Sequence, residues 1–138
     1  MPLAVDRLGQ VAYGDDVEGS PLAVGIRSFA FSLPEAYEDH PWGESVAKVG
    51  KKVFVFFGSS EGDGPFGFSV KLPMSSDEAL SMPFTEPTGY GLERGHWVTV
   101  RPPDDTPVDL LLAWIEESYR SVAPKSLVAQ LDAQAGGG

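Results

Sequence analysis

SVAKVGKKVFVFF, residues 45–57, decides the fold. Its two halves are rich in valine and phenylalanine and too short for helices. Gly50-Lys51 between them reads as a tight turn, so the segment is expected to be a β-hairpin. In KVFVFF (52–57), strict alternation puts Val53, Val55 and Phe57 on one face and Phe54 and Phe56 on the other, making both faces apolar. The polar, glycine-rich GSSEGDGP (58–65) then forms a hairpin tip. In FGFSVKL (66–72), Phe66, Phe68, Val70 and Leu72 alternate with Gly67, Ser69 and Lys71 as a third antiparallel strand. A further strand is expected at HWVTV (96–100), with His96, Val98 and Val100 facing one way and Trp97, Thr99 and Arg101 the other.

Helical periodicity brackets this β region. Ser20-Pro21 reads as a cap and first turn, followed by Leu22, Ile26, Phe29, Ala30 and Leu33 at helical spacing until Pro34 stops the run. PEAYEDHPWGE (34–44) reads as an ordered loop pinned by aromatic packing. Ser75 and Glu78 have the spacing of a capping box opening a short helix that Pro83 ends. Near the C-terminus Thr106 reads as a cap with Pro107 in the first turn. Val108, Leu111, Leu112, Ile115, Tyr119 and Val122 then mark an amphipathic helix, and Glu116 and Arg120 support its outer side. Leu127, Val128 and Leu131 mark a shorter amphipathic stretch after Pro124.

The order is helix, three strands, helix, one or two strands, then two helices. It implies an α+β, two-layer domain: an antiparallel sheet of four to five strands with helices packed on one face. Residues 1–19 are expected to be a flexible lead-in, 20–134 a single domain, and 135–138 a disordered tail. Since helices cover one sheet face only, the second face of KVFVFF is left partly bare, and bare apolar surface marks a partner site.

Composition narrows the function classes. At 138 residues and 42% hydrophobic, the chain suffices for one core. It has no cysteine, so disulfides and thiolate metal sites are excluded. No export signal and no run of apolar residues long enough to cross a membrane is visible, and a cytoplasmic location is expected. The net charge of −10 repels polyphosphate at long range. That charge lies in the flanks, because between Ser45 and Arg101 six basic residues balance six acidic ones.

No residue set carries a catalytic or cofactor signature. His40 and His96 lack a partner at metal-ligand spacing, and EDH (38–40) needs a third ligand from elsewhere. Ser59 and Ser60 lack the nucleophile-elbow pattern. The glycine-rich loops lack phosphate-cradle spacing, and Glu61 and Asp63 oppose phosphate. Asp104-Asp105 abut a helix start, where the dipole accounts for them. The expectation is a non-enzymatic protein with no cofactor and no metal.

Taken together, LPEAYEDHPWGE, AKVGKKVFVFF, SVKL, GYGLERGHWVTV and LLAWIEESYRSVAPKSL resemble the MmcQ/YjbR family of small bacterial proteins, from about Ile26 to Leu127. The resemblance implies an α+β fold of frataxin-like or secretion-chaperone-like kind and a double-wing DNA-binding role, with no catalytic activity or cofactor. Trp42, Lys48, Phe54, Tyr90, His96, Trp97 and Tyr119 match the family's motifs; Trp42, Phe54, Tyr90 and Tyr119 are read as structural.

Two functions follow. A nucleic-acid-binding module would use Lys48, Lys51, Lys52, Lys71, Arg94 and Arg101 on phosphate, with His96 and Trp97 beside them. A protein-interaction module or homodimeric scaffold would use the bare sheet face instead. Trp97 is first expected to fix its strand against KVFVFF and only second to read a ligand.

Overall fold

The computed structural model describes residues 21–41, 44–59, 66–89 and 91–137. In chain order the elements are α1 (Pro21–Ser32), β1 (Tyr37–Asp39), β2 (Glu44–Val49), β3 (Lys52–Ser59), β4 (Phe68–Lys71), α2 (Ser76–Leu80), β5 (Thr85–Pro87), β6 (Trp97–Val100), α3 (Val108–Val122) and α4 (Lys125–Gly137). The strands form one antiparallel sheet in the order β1-β2-β3-β4-β6-β5. This is the α+β, helix-backed antiparallel sheet that the chain order implied, with six strands rather than four or five. The two additional strands, β1 and β5, are three residues each and form the sheet edges. Neither has an apolar alternation to announce it: β1 lies within the stretch read as a loop, and β5 reads Thr-Glu-Pro.

The four helices put their buried residues into one core, which is why they share one sheet face. Ile26 and Ala30 of α1, Ala79 of α2, Leu111, Trp114, Ile115 and Tyr119 of α3, and Leu127 of α4 belong to a single cluster with Ala47, Phe54, Val55, Phe68, Val70, Val98 and Val100. On α3 the buried stripe runs through Leu111, Trp114, Ile115, Ser118 and Tyr119, while Val108 is exposed. Helical periodicity located the stripe, but its width took in Trp114 and Ser118 as well.

Strand β3 departs from strict alternation. In its register with β2, Ala47 faces Val55 and Lys48 faces Val53, which leaves Phe54 unpaired. Val46 faces Phe56 and Ser45 faces Gly58, which leaves Phe57 unpaired. Each bulge inserts one residue and flips the facing of those that follow. Phe54, Val55 and Phe57 therefore all point toward the helices: Phe54 meets Tyr119 edge-on at 5.3 Å and Phe57 meets Phe31 at 5.8 Å. Val53 and Phe56 are left on the opposite face. Both faces are apolar, as the sequence implied, but the partition differs.

A bulge opens the strand ladder, and the opened groups need partners. Strands β3 and β4 pair at Val55↔Val70 and Phe56↔Ser69. Just beyond, the fully buried Ser118 of α3 bridges them: its hydroxyl donates to the Phe54 carbonyl at 2.6 Å and accepts from the Lys71 N–H at 2.9 Å. One residue later, the Tyr119 hydroxyl donates to the Pro34 carbonyl at 2.8 Å, tying α3 to the end of α1. Burial, and then the nearby Glu35 charge, push the Tyr119 phenol upward from its ordinary value.

The helix starts differ from their expected caps. Ser75 makes no side-chain capping bond; instead Glu117 of α3 accepts from the Met74 and Ser75 N–H groups at 2.8 and 3.0 Å. A long-range carboxylate thus replaces the local box. At α3 the cap position is Pro107, and the Thr106 hydroxyl turns back to the Pro103 carbonyl at 2.7 Å. α4 is helical through Gly137, into the stretch expected to be a tail. Ser20 and the lead-in lie outside the described residues.

Strand β1 is held to α1 by charge. Glu38 accepts from Arg27 at 2.8 Å and from the Ser45 hydroxyl at 2.6 Å, and Arg27 lies 4.8 Å from the Phe57 ring centre. Burial pushes the Glu38 carboxyl up. The Ser45 hydrogen bond, then the Arg27 hydrogen bond and charge, and His40 outweigh it and hold it below its ordinary value.

Two outcomes follow. Ser118→Ala orphans the buried Phe54 carbonyl, at a cost of about 1–3 kcal/mol, and frees the half-buried Lys71 N–H at a smaller one, read as a lower denaturant midpoint. Ser121→Ala, at an exposed serine bonded within its own helix, changes stability by no more than about 0.5 kcal/mol. Because the folded pKa of Glu38 is depressed, its contribution is present above the unfolded value of 4.5 and is lost as pH falls through the folded value. The difference in Tm between the native chain and Glu38→Gln should therefore shrink as the buffer is taken from neutral to below pH 4.5.

Candidate functional site

The sheet face away from the helices is laid out by register. One row crosses it as Asp39, Val46, Phe56, Ser69, Thr99 and Glu86, each opposite the next. On the same face a second row runs through Tyr37, Lys48 and Val53 and, farther across, Lys71 opposite Trp97. Val46, Val53, Phe56 and Trp97 stand outside the helix-side core cluster. Val46 is buried, and Val53, Phe56 and Trp97 are half-buried. Among the described residues no helix packs on this face.

Its centre is aromatic. Phe56 and Trp97, on strands either side of β4, bring their ring centres to 5.1 Å at an interplanar angle of 60°. The β4 residue that faces Phe56 is Ser69, small enough for rings to meet over it. Beside the pair the hydroxyls of Ser69, Thr99 and Thr88 form a chain at 2.8 and 2.9 Å. Trp97 does fix its strand against KVFVFF, and it does so through Phe56. Sequence alternation put Phe56 on the same face as Phe54; the bulge at Phe54 separates them, and nothing in the sequence marked the hydroxyl chain.

Five of the six basic residues singled out gather at one end of the sheet. Lys51 and Lys52 sit at the β2–β3 turn, where Gly50 takes a left-handed φ of 62°. Lys48 lies near the end of β2, Lys71 ends β4, and Arg94 lies in the 3-10 turn Leu92–Gly95 that leads into β6. Antiparallel pairing puts these at the same end. Arg101 leaves β6 at the opposite end and is ion-paired with Glu86.

The cations differ in what holds them. Lys48 pairs with Asp39 at 3.2 Å. Asp39 is held below its ordinary value, first by the His40 N–H and then by Lys48. Lys51, Lys52, Lys71 and Arg94 have no ion pair among the described residues. Lys71 is half-buried directly across from Trp97.

His96 departs from its expected place. It precedes β6 with a left-handed φ of 68°, so it does not continue the alternation with Val98 and Val100. Its carbonyl accepts from the Leu72 N–H at 2.9 Å, which extends the β4–β6 pairing, and its exposed ring has Nδ1 3.4 Å from the Ser76 hydroxyl. Phe54 and Tyr119 are core residues of the helix side. Trp42 and Tyr90, together with Glu61 and Asp63, lie outside the described residues.

Elsewhere the polar groups are already engaged. In the EDH stretch Glu38 is taken up by Arg27, Ser45 and His40, and Asp39 by Lys48. Among the described residues no three His, Asp or Glu side chains are grouped to hold a metal, and no helix is long and apolar enough to cross a membrane. A shallow groove on the helix side is lined by Pro73, Met74, Ala113, Glu117 and Arg120. There Glu117 caps the start of α2, and Arg120 bridges Glu116 and Asp132 at 2.9 and 2.7 Å.

Residues 31–121 match the family model described as YjbR. The crystal structure of Deinococcus radiodurans protein DR2400, which carries the DUF419 domain, is similar with a TM-score of 0.60 and 27% identity, over 72% of this chain and 78% of that one. No curated protein matches the sequence. The matched span runs from the last turn of α1 to the last turn of α3 and takes in the whole sheet, Ser118 and the Phe56–Trp97 face: the chain belongs to the YjbR family.

Proposed function

We propose that this protein is a non-enzymatic, cytoplasmic DNA-binding module whose contact surface is the sheet face that carries Phe56 and Trp97. The observation that supports this most is Lys71: a half-buried residue with no ion pair among the described residues, set across from Trp97 at the end of the sheet where Lys51, Lys52 and Arg94 also gather. An incoming anion at Lys71 meets a charge that no carboxylate among the described residues already holds. Phosphate supplies that anion, and the adjoining rings supply a stacking surface for bases. The net charge of −10 lowers long-range attraction, and binding is accordingly expected to be weak at physiological salt.

A second reading has its own support. Val53, Phe56 and Trp97 make the same face apolar enough to bury against a second copy or another protein. Any such contact is face-on, because the edge strands are three residues long and Pro87 in β5 lacks the N–H that edge pairing needs.

Titrating a labelled DNA at low salt separates these. DNA binding predicts a log-log salt slope of about 0.9 per phosphate neutralised, and the double change Lys51→Ala, Lys52→Ala lowers it by about 2. Absence of binding at low salt, with a concentration-dependent mass in sedimentation equilibrium that Phe56→Lys abolishes, favours the scaffold. Trp97→Ala, at a half-buried site, destabilises by less than the ~3–5 kcal/mol of a core tryptophan and leaves a folded chain whose binding is weakened.

A further inference from the structure

The distribution of engaged and unengaged cations bears on the form of the ligand. Resting on the DNA-binding reading above, we propose that the sheet face takes single-stranded DNA in preference to duplex, with the backbone along the Lys51, Lys52, Lys71 and Arg94 end and a base laid on the Phe56–Trp97 rings.

Three observations support it. First, the cations of this region that have no ion pair among the described residues lie at one end of the sheet only. Lys48 and Arg101, the other two basic residues of the region, are each closed on a carboxylate, Asp39 and Glu86. The row that carries those carboxylates is two residues along the strands from the row of Lys71 and Trp97, a distance of about 7 Å at the usual strand rise. A duplex groove is about 6–12 Å wide between its backbones. With one backbone on the cations at the Lys71 end, the second therefore passes over the row of closed ion pairs and gains no charge contact without breaking one. One strand at that end meets cations that no carboxylate among the described residues holds; a second strand adds no further such contact.

Second, the rings are half-buried in a sheet, and among the described residues no helix lies on that face to enter a groove. A base stacked within a duplex shows only its edge, whereas an unpaired base offers the flat surface that Trp97 and Phe56 accept. Third, the Ser69, Thr99 and Thr88 hydroxyls next to the rings are bonded to one another. A ribose 2′-hydroxyl would have to share hydroxyls already bonded to one another, which favours the deoxy strand.

The test uses the full chain and three fluorescein-labelled probes of one mixed sequence about 20 nucleotides long: single-stranded DNA, the same strand annealed to its complement, and the ribose version. All are titrated by anisotropy at low salt. The single strand should bind at least ten-fold more tightly than the duplex, with a salt slope near 0.7 for each cation engaged. Lys71→Ala should lower that slope by about 0.7, and Trp97→Leu should weaken single-strand binding roughly ten-fold. Trp97→Phe, which keeps a stacking ring, should restore most of it, so the stacking claim remains open to refutation even if the leucine variant folds poorly. Duplex binding equal to or tighter than that of the single strand overturns the strand preference and leaves the DNA-binding reading standing. Failure of both DNA forms to bind overturns both, and ten-fold tighter binding of the ribose probe overturns the deoxy assignment.

Discussion

Much of this structure depends on a single hydroxyl. Ser118 reaches from the middle of α3 to the point where β3 and β4 part, and satisfies one carbonyl and one amide that the Phe54 bulge has taken out of the ladder. Ser118 and Phe54 are fully buried, so water does not readily replace the bond to the Phe54 carbonyl. An apolar side chain there would leave both groups without this partner. The same contact fixes how close α3 sits to the sheet, and with it the edge-on approach of Tyr119 to Phe54 and the reach of the Tyr119 hydroxyl to Pro34.

What this does for the far face is indirect but definite. By absorbing an extra residue at Phe54, the bulge sends two successive residues, Phe54 and Val55, toward the helices and returns Phe56 to the other side. With strict alternation through Val55, Phe56 would share its face with the core residue Phe54. Lys71 is governed by the same bond: its backbone N–H is held by Ser118 from the helix side while its side chain shares the other face with Trp97. One buried serine thus sets the position of both the aromatic pair and the cation beside it.

The strong periodicities were legible in the sequence because burial enforces them. The hairpin 45–57, the strand through Phe68 and Val70, the opening helix and the amphipathic α3 are all where the apolar spacing puts them. The edges were not legible: Tyr37–Asp39 and Thr85–Pro87 pair through backbone alone and carry little apolar pattern. Neither were the bulges, since KVFVFF is apolar at every position but the first and no side-chain pattern reports a change of facing. The long-range caps were invisible for a related reason. Glu117 reaches Met74 and Ser75 across more than forty residues, while the local Ser75–Glu78 box goes unused. At the candidate site the residue types were readable, but their grouping came from strand order, which brings Lys71 and Trp97 together from β4 and β6.

The pairing of β3 with β4 is confined to two positions among the described residues, against four between β4 and β6. Mechanically, the sheet is two three-stranded panels joined along a short seam. α3 backs the seam, and on the front the Phe56–Trp97 contact spans it. Anything resting across those two rings loads both panels at once, so occupancy of the face would be felt as stiffness along the seam, where amide exchange at Val55, Phe56, Ser69 and Val70 would report it.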